Sequence, residues 1–264
     1  MVSGLFYPSS AQELSEKIDT LMQGAGKAEK SCSAIISPHG SLAYSGELAA
    51  KAWKATSSRK VDDIVIISPS HRNFEPGVYL PESQSFSIPT GSFKVNKPAI
   101  KSLLHSNTCL SANDIPHLEE HAIEVQLIYA AHCFPDAAIL PVIICGADDA
   151  TIDSFFSNLH FILADKLDST LFVLTSNMAV DDNAENCLKQ TVAFTECIEK
   201  NEYKLLEAFI NAQPSFCGGR IIAAYLRSQF SHGLHPAVFG IGSSAAFAEP
   251  DEPIVGYAAI GFSA

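Results

Sequence analysis

Two histidines in this chain follow nearly identical endings. Residues 34–40 read AIISPHG and residues 64–72 read IVIISPSHR, so an apolar run stops at Ser-Pro and delivers His39 in one case and His71 in the other. Neutral imidazole is the commonest side-chain ligand for a transition metal. A third donor stands in PSFCGGRIIAAYL. Ser215 can cap a helix there, which puts Cys217 in its first turn, where unpaired amides and the helix dipole favour thiolate. Two imidazoles and a thiolate make a soft site suited to zinc, copper or iron. Each residue also has a plain structural reading: a hydrogen-bonded loop histidine, or a small cysteine packed beside a glycine pair.

A second pattern competes. HLEEHAIEVQL, residues 117–127, contains His-x-x-Glu-His, the inverted zinc-peptidase signature. On one continuous helix, His117 and His121 would share a face with Glu120 as base. Glu196 and Glu199 are candidates for its third ligand. The structural alternative is a helix start whose Glu119 and Glu120 sit at the positive end of the dipole.

These residues need elements to hold them. SSAQELSEKIDTLMQ sets Ser10 three residues before Glu13 and puts Leu14, Ile18, Leu21 and Met22 on one helical face. Strands over 33–38 and 63–69 flank a helix over about 45–55, and parallel pairing by right-handed crossover is expected. A β-rich excursion with Pro and Gly follows from Asn73 to Phe93. Alternation then resumes with a helix near 98–105, a long helix over about 116–133, a strand at AAILPVIIC, a helix over about 151–167 and a strand at TLFVLTS. Three helical stretches and two closing strands complete an α/β chain with a central, mostly parallel sheet. Ligands in such sheets gather beyond the carboxyl ends of the strands, where both histidines would lie.

With 264 residues and no linker or composition shift, the chain is expected to form a single domain over 1–264. Its 29 acidic and 17 basic residues give a net charge of -12, with the basic residues scattered, which argues against nucleic acid as a partner. The longest apolar run, at 137–147, is too short to span a membrane. Seven widely spaced cysteines with no Cys-x-x-Cys pair fit a reducing compartment. A cytoplasmic protein is expected, with an unidentified small molecule or peptide as its partner.

Taken together, GLFYPSSAQEL, ISPHGSLAYSG, ISPSHRNF, IPTGSFKVN, HLEEHAIEVQL, LPVIICG, FCGGR and SSAAF followed by VGYAAI resemble the landmarks of the MEMO family across nearly the whole chain. Prokaryotic members of that family are called AmmeMemoRadiSam system protein B. The resemblance implies a fold similar to the class III extradiol dioxygenases. It implies His39, His71 and Cys217 as metal ligands for iron or copper, zinc being a further option. His121 and Tyr44 are then expected to line the pocket as catalytic residues, His121 as proton donor. The sequence departs from the family in TSNMAVDD, where many members carry Ser-Asp-x-x-His: Asn177 replaces the acid and Val180 the histidine. Neither can transfer a proton. Three readings stay open: a redox or dioxygenase-type metalloprotein, a non-catalytic module that binds a peptide or phospho-ligand, and a zinc peptidase.

Overall fold

Ser10 opens the first helix as its spacing predicts, its Oγ accepting the Glu13 amide, and Leu14, Ile18, Leu21 and Met22 form the buried face. The structure, a computed structural model, describes residues 2–27, 31–72, 74–106, 109–212, 216–249 and 251–264. Asn73, expected to begin the β-rich excursion, and Ser215, the expected helix cap, lie outside the described residues.

The elements run α1 (Ala11–Gly24), β1 (Ala34–Ser37), α2 (Leu42–Lys54), β2 (Asp63–Pro69), β3 (Gly77–Leu80), β4 (Ser85–Ile88), β5 (Gly91–Lys94), α3 (Lys97–Ser106), β6 (Leu110–Ala112), α4 (Asp114–Glu119) and α5 (Ala122–Cys133). They continue with β7 (Ala138–Cys145), α6 (Asp149–Leu163), β8 (Thr170–Thr175), β9 (Val180–Asp181), α7 (Ala184–Glu199), α8 (Tyr203–Ala212), α9 (Gly219–Arg227), β10 (His235–Ser243) and β11 (Ile254–Ser263). A nine-stranded sheet has the order β10-β11-β1-β8-β2-β7-β3-β6, with β9 paired to β11. Its centre, β1-β8-β2-β7, is parallel, whereas β11, β10 and β3 join antiparallel.

β1 and β2 are therefore not neighbours. β8 lies between them, pairing Ser37 with Thr175 on one side and Ile67 with Leu174 on the other. Every residue of β1, β2 and β8 is buried, so both faces of the central sheet must be covered. The coverings are two helix groups, α1-α2-α5 and α6-α7-α8-α9, each packed on the sheet. Fully burying one isoleucine of these strands contributes about 1.5–3 kcal/mol.

Two expectations need correction. The helix expected over 116–133 is two helices: at Glu120 the backbone leaves the helical region for φ -97, ψ 126. Asn113 caps the first of them through the Ile115 amide. The helix after Cys217 starts at Gly219, so Cys217 sits in the turn before it rather than in its first turn.

Candidate metal centre

Three parallel strands, β1, β8 and β2, end side by side, and the residues just beyond them meet. Ser37 leads to His39, Pro69 to His71, and Thr175 to Ser176 and Asn177. The break between α4 and α5 adds His121 from the side. One nitrogen each of His39, His71 and His121 lie within 4.8 Å of one another, a spacing that one metal ion can bridge. Among the described residues this is the cluster of metal-ligating side chains the fold assembles. The three rings pack edge to edge or tilted, with centroids 4.9–5.5 Å apart. Phe6 closes the far side of His121 at 4.9 Å.

His39 is fully buried and doubly fixed. Its amide donates to Asn177 Oδ1 (3.1 Å), and its Nδ1 lies 2.9 Å from Thr175 Oγ1. Thr175 Oγ1 also accepts from Gln126 Nε2 (3.0 Å), which donates in addition to the Pro38 carbonyl (2.9 Å). Trp53 Nε1 in turn donates to Gln126 Oε1 (2.9 Å). With Nδ1 spent on Thr175, Nε2 is the nitrogen that faces the cluster. Burial holds the His39 pKa well below the ordinary histidine value, with the neighbouring His71 and His121 acting in the same direction. A neutral ring is the form that ligates.

Glu120 orients the other two. Its carboxylate accepts the His71 amide (2.7 Å) and the Ala122 amide (2.9 Å) and meets His71 Nδ1 at 2.9 and 3.1 Å. His121 Nδ1 is 3.2 Å away. A carboxylate bonded to the outer nitrogen of a ligating histidine is the usual device for fixing ring orientation and ligand basicity. Burial would lower the His71 pKa, but Cys217 and Glu120 outweigh it and raise the value. Burial would raise Glu120, and its bonds to His71 turn it downward instead. His121 stays below its ordinary value because burial exceeds the pull of Glu120.

Cys217 Sγ lies 3.5 Å from His39 Nε2 and accepts the Asn177 amide at 3.3 Å. A Cβ on Gly218 would sit 2.6 Å from the Ser176 side chain, so only glycine lets this turn approach the end of β8 so closely. The donor set around the cluster is thus three imidazoles with a thiol at its side, and it fits a transition ion.

Three other residues singled out by sequence have surroundings of their own. His117 is buried on α4 against Phe86 and is not part of the cluster. The break at Glu120 removes the continuous helix that the peptidase pattern requires. Tyr44 is 41% exposed and its ring stacks on Phe247 at 5.6 Å. Val180 lies in β9, paired with Val255 and 37% exposed. None of the seven cysteines forms a disulfide. Thr175 and Gln126 escaped the sequence reading, since buried hydroxyl and amide groups carry no motif. No helix among the described residues is long and apolar enough to cross a membrane.

Fold and cluster together define an α/β protein with a candidate metal centre at the carboxyl edge of a mostly parallel sheet. Residues 1–261 match the Memo-like protein family. The chain therefore belongs to that family. A MEMO1 family protein of Thermotoga neapolitana is 30% identical over 247 residues, 88% of each chain. MEMO1 family proteins of Saccharolobus islandicus and Methanobrevibacter smithii are each 25% identical, over 99% and 97% of this chain and 97% and 96% of theirs.

Proposed function

We propose that His39, His71 and His121 hold an iron or copper ion, with Cys217 as a further donor, and that the centre serves redox chemistry on a small molecule. The observation that carries this reading is the convergence of three imidazoles, from two strand ends and a helix break, to within 4.8 Å. Glu120 and Thr175 supply the outer hydrogen bonds that a ligating histidine needs. Either ion would supply one-electron chemistry, and three histidine donors leave coordination positions for a substrate. Asn177 is neutral and spends its amide oxygen on the His39 backbone, so it moves no proton at the centre. A dioxygenase-type reaction is the most concrete form of this chemistry, and it rests on fold analogy alone.

The neutral Asn177 and the aliphatic Val180 also support a second reading, in which the pocket binds a peptide or phospho-ligand without turnover. Metal content of protein purified without chelator separates the readings. The first expects near-stoichiometric iron or copper, strongly reduced in His39→Ala and His71→Ala and unchanged in His117→Ala. Cys217→Ser is expected to retain the ion with altered affinity or spectrum. Stoichiometric zinc, or no ion after reconstitution with iron, copper and zinc, would overturn the redox reading.

A further inference from the structure

Below the β4–β5 hairpin lies a cavity of about 200 Å³, walled by Phe86, Leu118, Ile123 and Leu127. We propose that it is a second binding site, separate from the histidine cluster, for a small organic cation: a primary ammonium on a compact apolar body of one ring or a short chain.

Size comes first. An apolar protein cavity of roughly 150 Å³ accommodates benzene, so this one suits a single substituted ring. Charge comes second. Three acidic residues, Asp114, Glu120 and Glu124, line the cavity, and no Lys or Arg does so among the described residues. Their carboxylates are already fixed by donors from the protein. Asp114 accepts the Glu82 and Ser83 amides and the Ser83 hydroxyl, while Glu124 accepts the Val2 amide and the Tyr7 hydroxyl. Burial would raise the Asp114 pKa, but the bonds from Ser83 and Glu82 bring it below its ordinary value. The field in the cavity is therefore negative, which excludes anions and favours a cation.

A buried imidazole supplies the third argument. His117 lines the cavity with only 8% of its surface exposed, and neither ring nitrogen has a hydrogen-bond partner. Burial lowers its pKa; the nearby Tyr79 backbone pulls the other way but makes no hydrogen bond of proper geometry. Buried polar atoms are nearly always paired, so an orphaned ring asks for a partner that binds there. The ring lines the cavity, so a ligand held there is the partner within reach of it. Burial keeps the ring neutral, with its pKa lowered to about 4, so it can accept a hydrogen bond from an ammonium.

The test titrates benzylamine, benzyl alcohol and benzoate into the full chain with 15N-labelled histidine, following the His117 ring nitrogens and the backbone amides. Saturable benzylamine binding is expected in the low-millimolar range, at least about tenfold tighter than benzoate, with benzyl alcohol between them. His117→Phe removes the acceptor and is expected to weaken benzylamine at least about fivefold. Ser85→Arg sets a positive charge on an exposed residue at the mouth and is expected to weaken it similarly, without burying anything. Metal content should be unchanged in both variants. No saturation by benzylamine, equal binding of benzoate, or benzylamine binding that survives Ser85→Arg would each overturn the proposal. Because the readout is ligand binding and not metal content, its failure is separate from failure of the redox reading.

Discussion

Replacing Glu120 by Gln tests how the cluster is held. The side chain is 1% exposed and its two oxygens serve three groups: the His71 amide, the Ala122 amide and the His71 ring, with the His121 ring close by. A glutamine has the same shape but only one acceptor. If its oxygen keeps the His71 amide, its NH2 faces the Ala122 amide; flipped, it faces the His71 amide. Either way one buried donor is left unpaired, which costs about 1–3 kcal/mol, and a charge-assisted bond worth about 1.5–3 kcal/mol is lost. A stability loss of about 3 kcal/mol is expected in urea denaturation of chelator-treated protein. His71 also loses the partner that orients its ring, so affinity for iron or copper should fall by about 10–100-fold in a competition assay. Glu119→Gln, at an exposed neighbour, is the control and should change neither. Wild-type stability and a metal affinity within about twofold in Glu120→Gln would refute the orienting role and the arithmetic behind it.

Three other expectations follow from single residues. His117 is held neutral in the fold by burial, its pKa about 4, but titrates near 6.5 once unfolded. The unfolded chain therefore takes the proton first: the contribution is fully present above pH 6.5 and lost as pH falls from 6.5 toward 4, by about 3 kcal/mol in all. His117→Phe should show a shallower acid limb in urea midpoints measured at several pH values between these limits, and an identical limb would count against a buried neutral ring. Gly218→Ala pushes a methyl into Ser176 at 2.6 Å and should cost about 1–3 kcal/mol while displacing Cys217, visible as slower or faster thiol alkylation than wild type. Thr175→Val leaves Gln126 and His39 each short of a partner, so metal affinity should drop by about tenfold or more with little change in helix content.

The parts of the site that sequence made legible are those set by local chemistry. Ser-Pro-His endings marked His39 and His71 because a buried strand announces itself by its apolar run, and a Ser-Pro break announces its end. What sequence could not supply was adjacency. β8 begins 101 residues after β2 ends and inserts between β1 and β2, and only long-range pairing decides that. The break at Glu120 was hidden for a related reason. Residues 117–127 are all compatible with helix, and Asn113 was the one local sign that a separate short helix starts early. The chain unwinds because Glu120 turns toward the His71 and Ala122 amides, a tertiary bond to a residue 49 positions away. Cys217 was legible as a candidate, but its setting was not: the close turn at Gly218 depends on Ser176, on another strand end.

That unwinding changes what the family-like pattern in residues 117–121 means. On a continuous helix, Glu120 would be a base beside two ligands. In the fold, His117 is diverted to a cavity under the β4–β5 hairpin, His121 joins the cluster, and Glu120 stands between them. A carboxylate bonded to the outer nitrogens of the imidazoles orients them, and it would do so without putting its negative charge directly on a bound ion. A bound ion would then meet imidazole nitrogens with a thiol alongside, a set that favours a softer ion than a site with a coordinating carboxylate would. Asn177 fits the same logic. A carboxylate there would add charge beside His39 and Cys217, whereas the amide still accepts the His39 backbone and leaves that nitrogen-and-sulfur character intact. Asn177 thus braces the His39 backbone and the Cys217 sulfur together while adding no charge of its own.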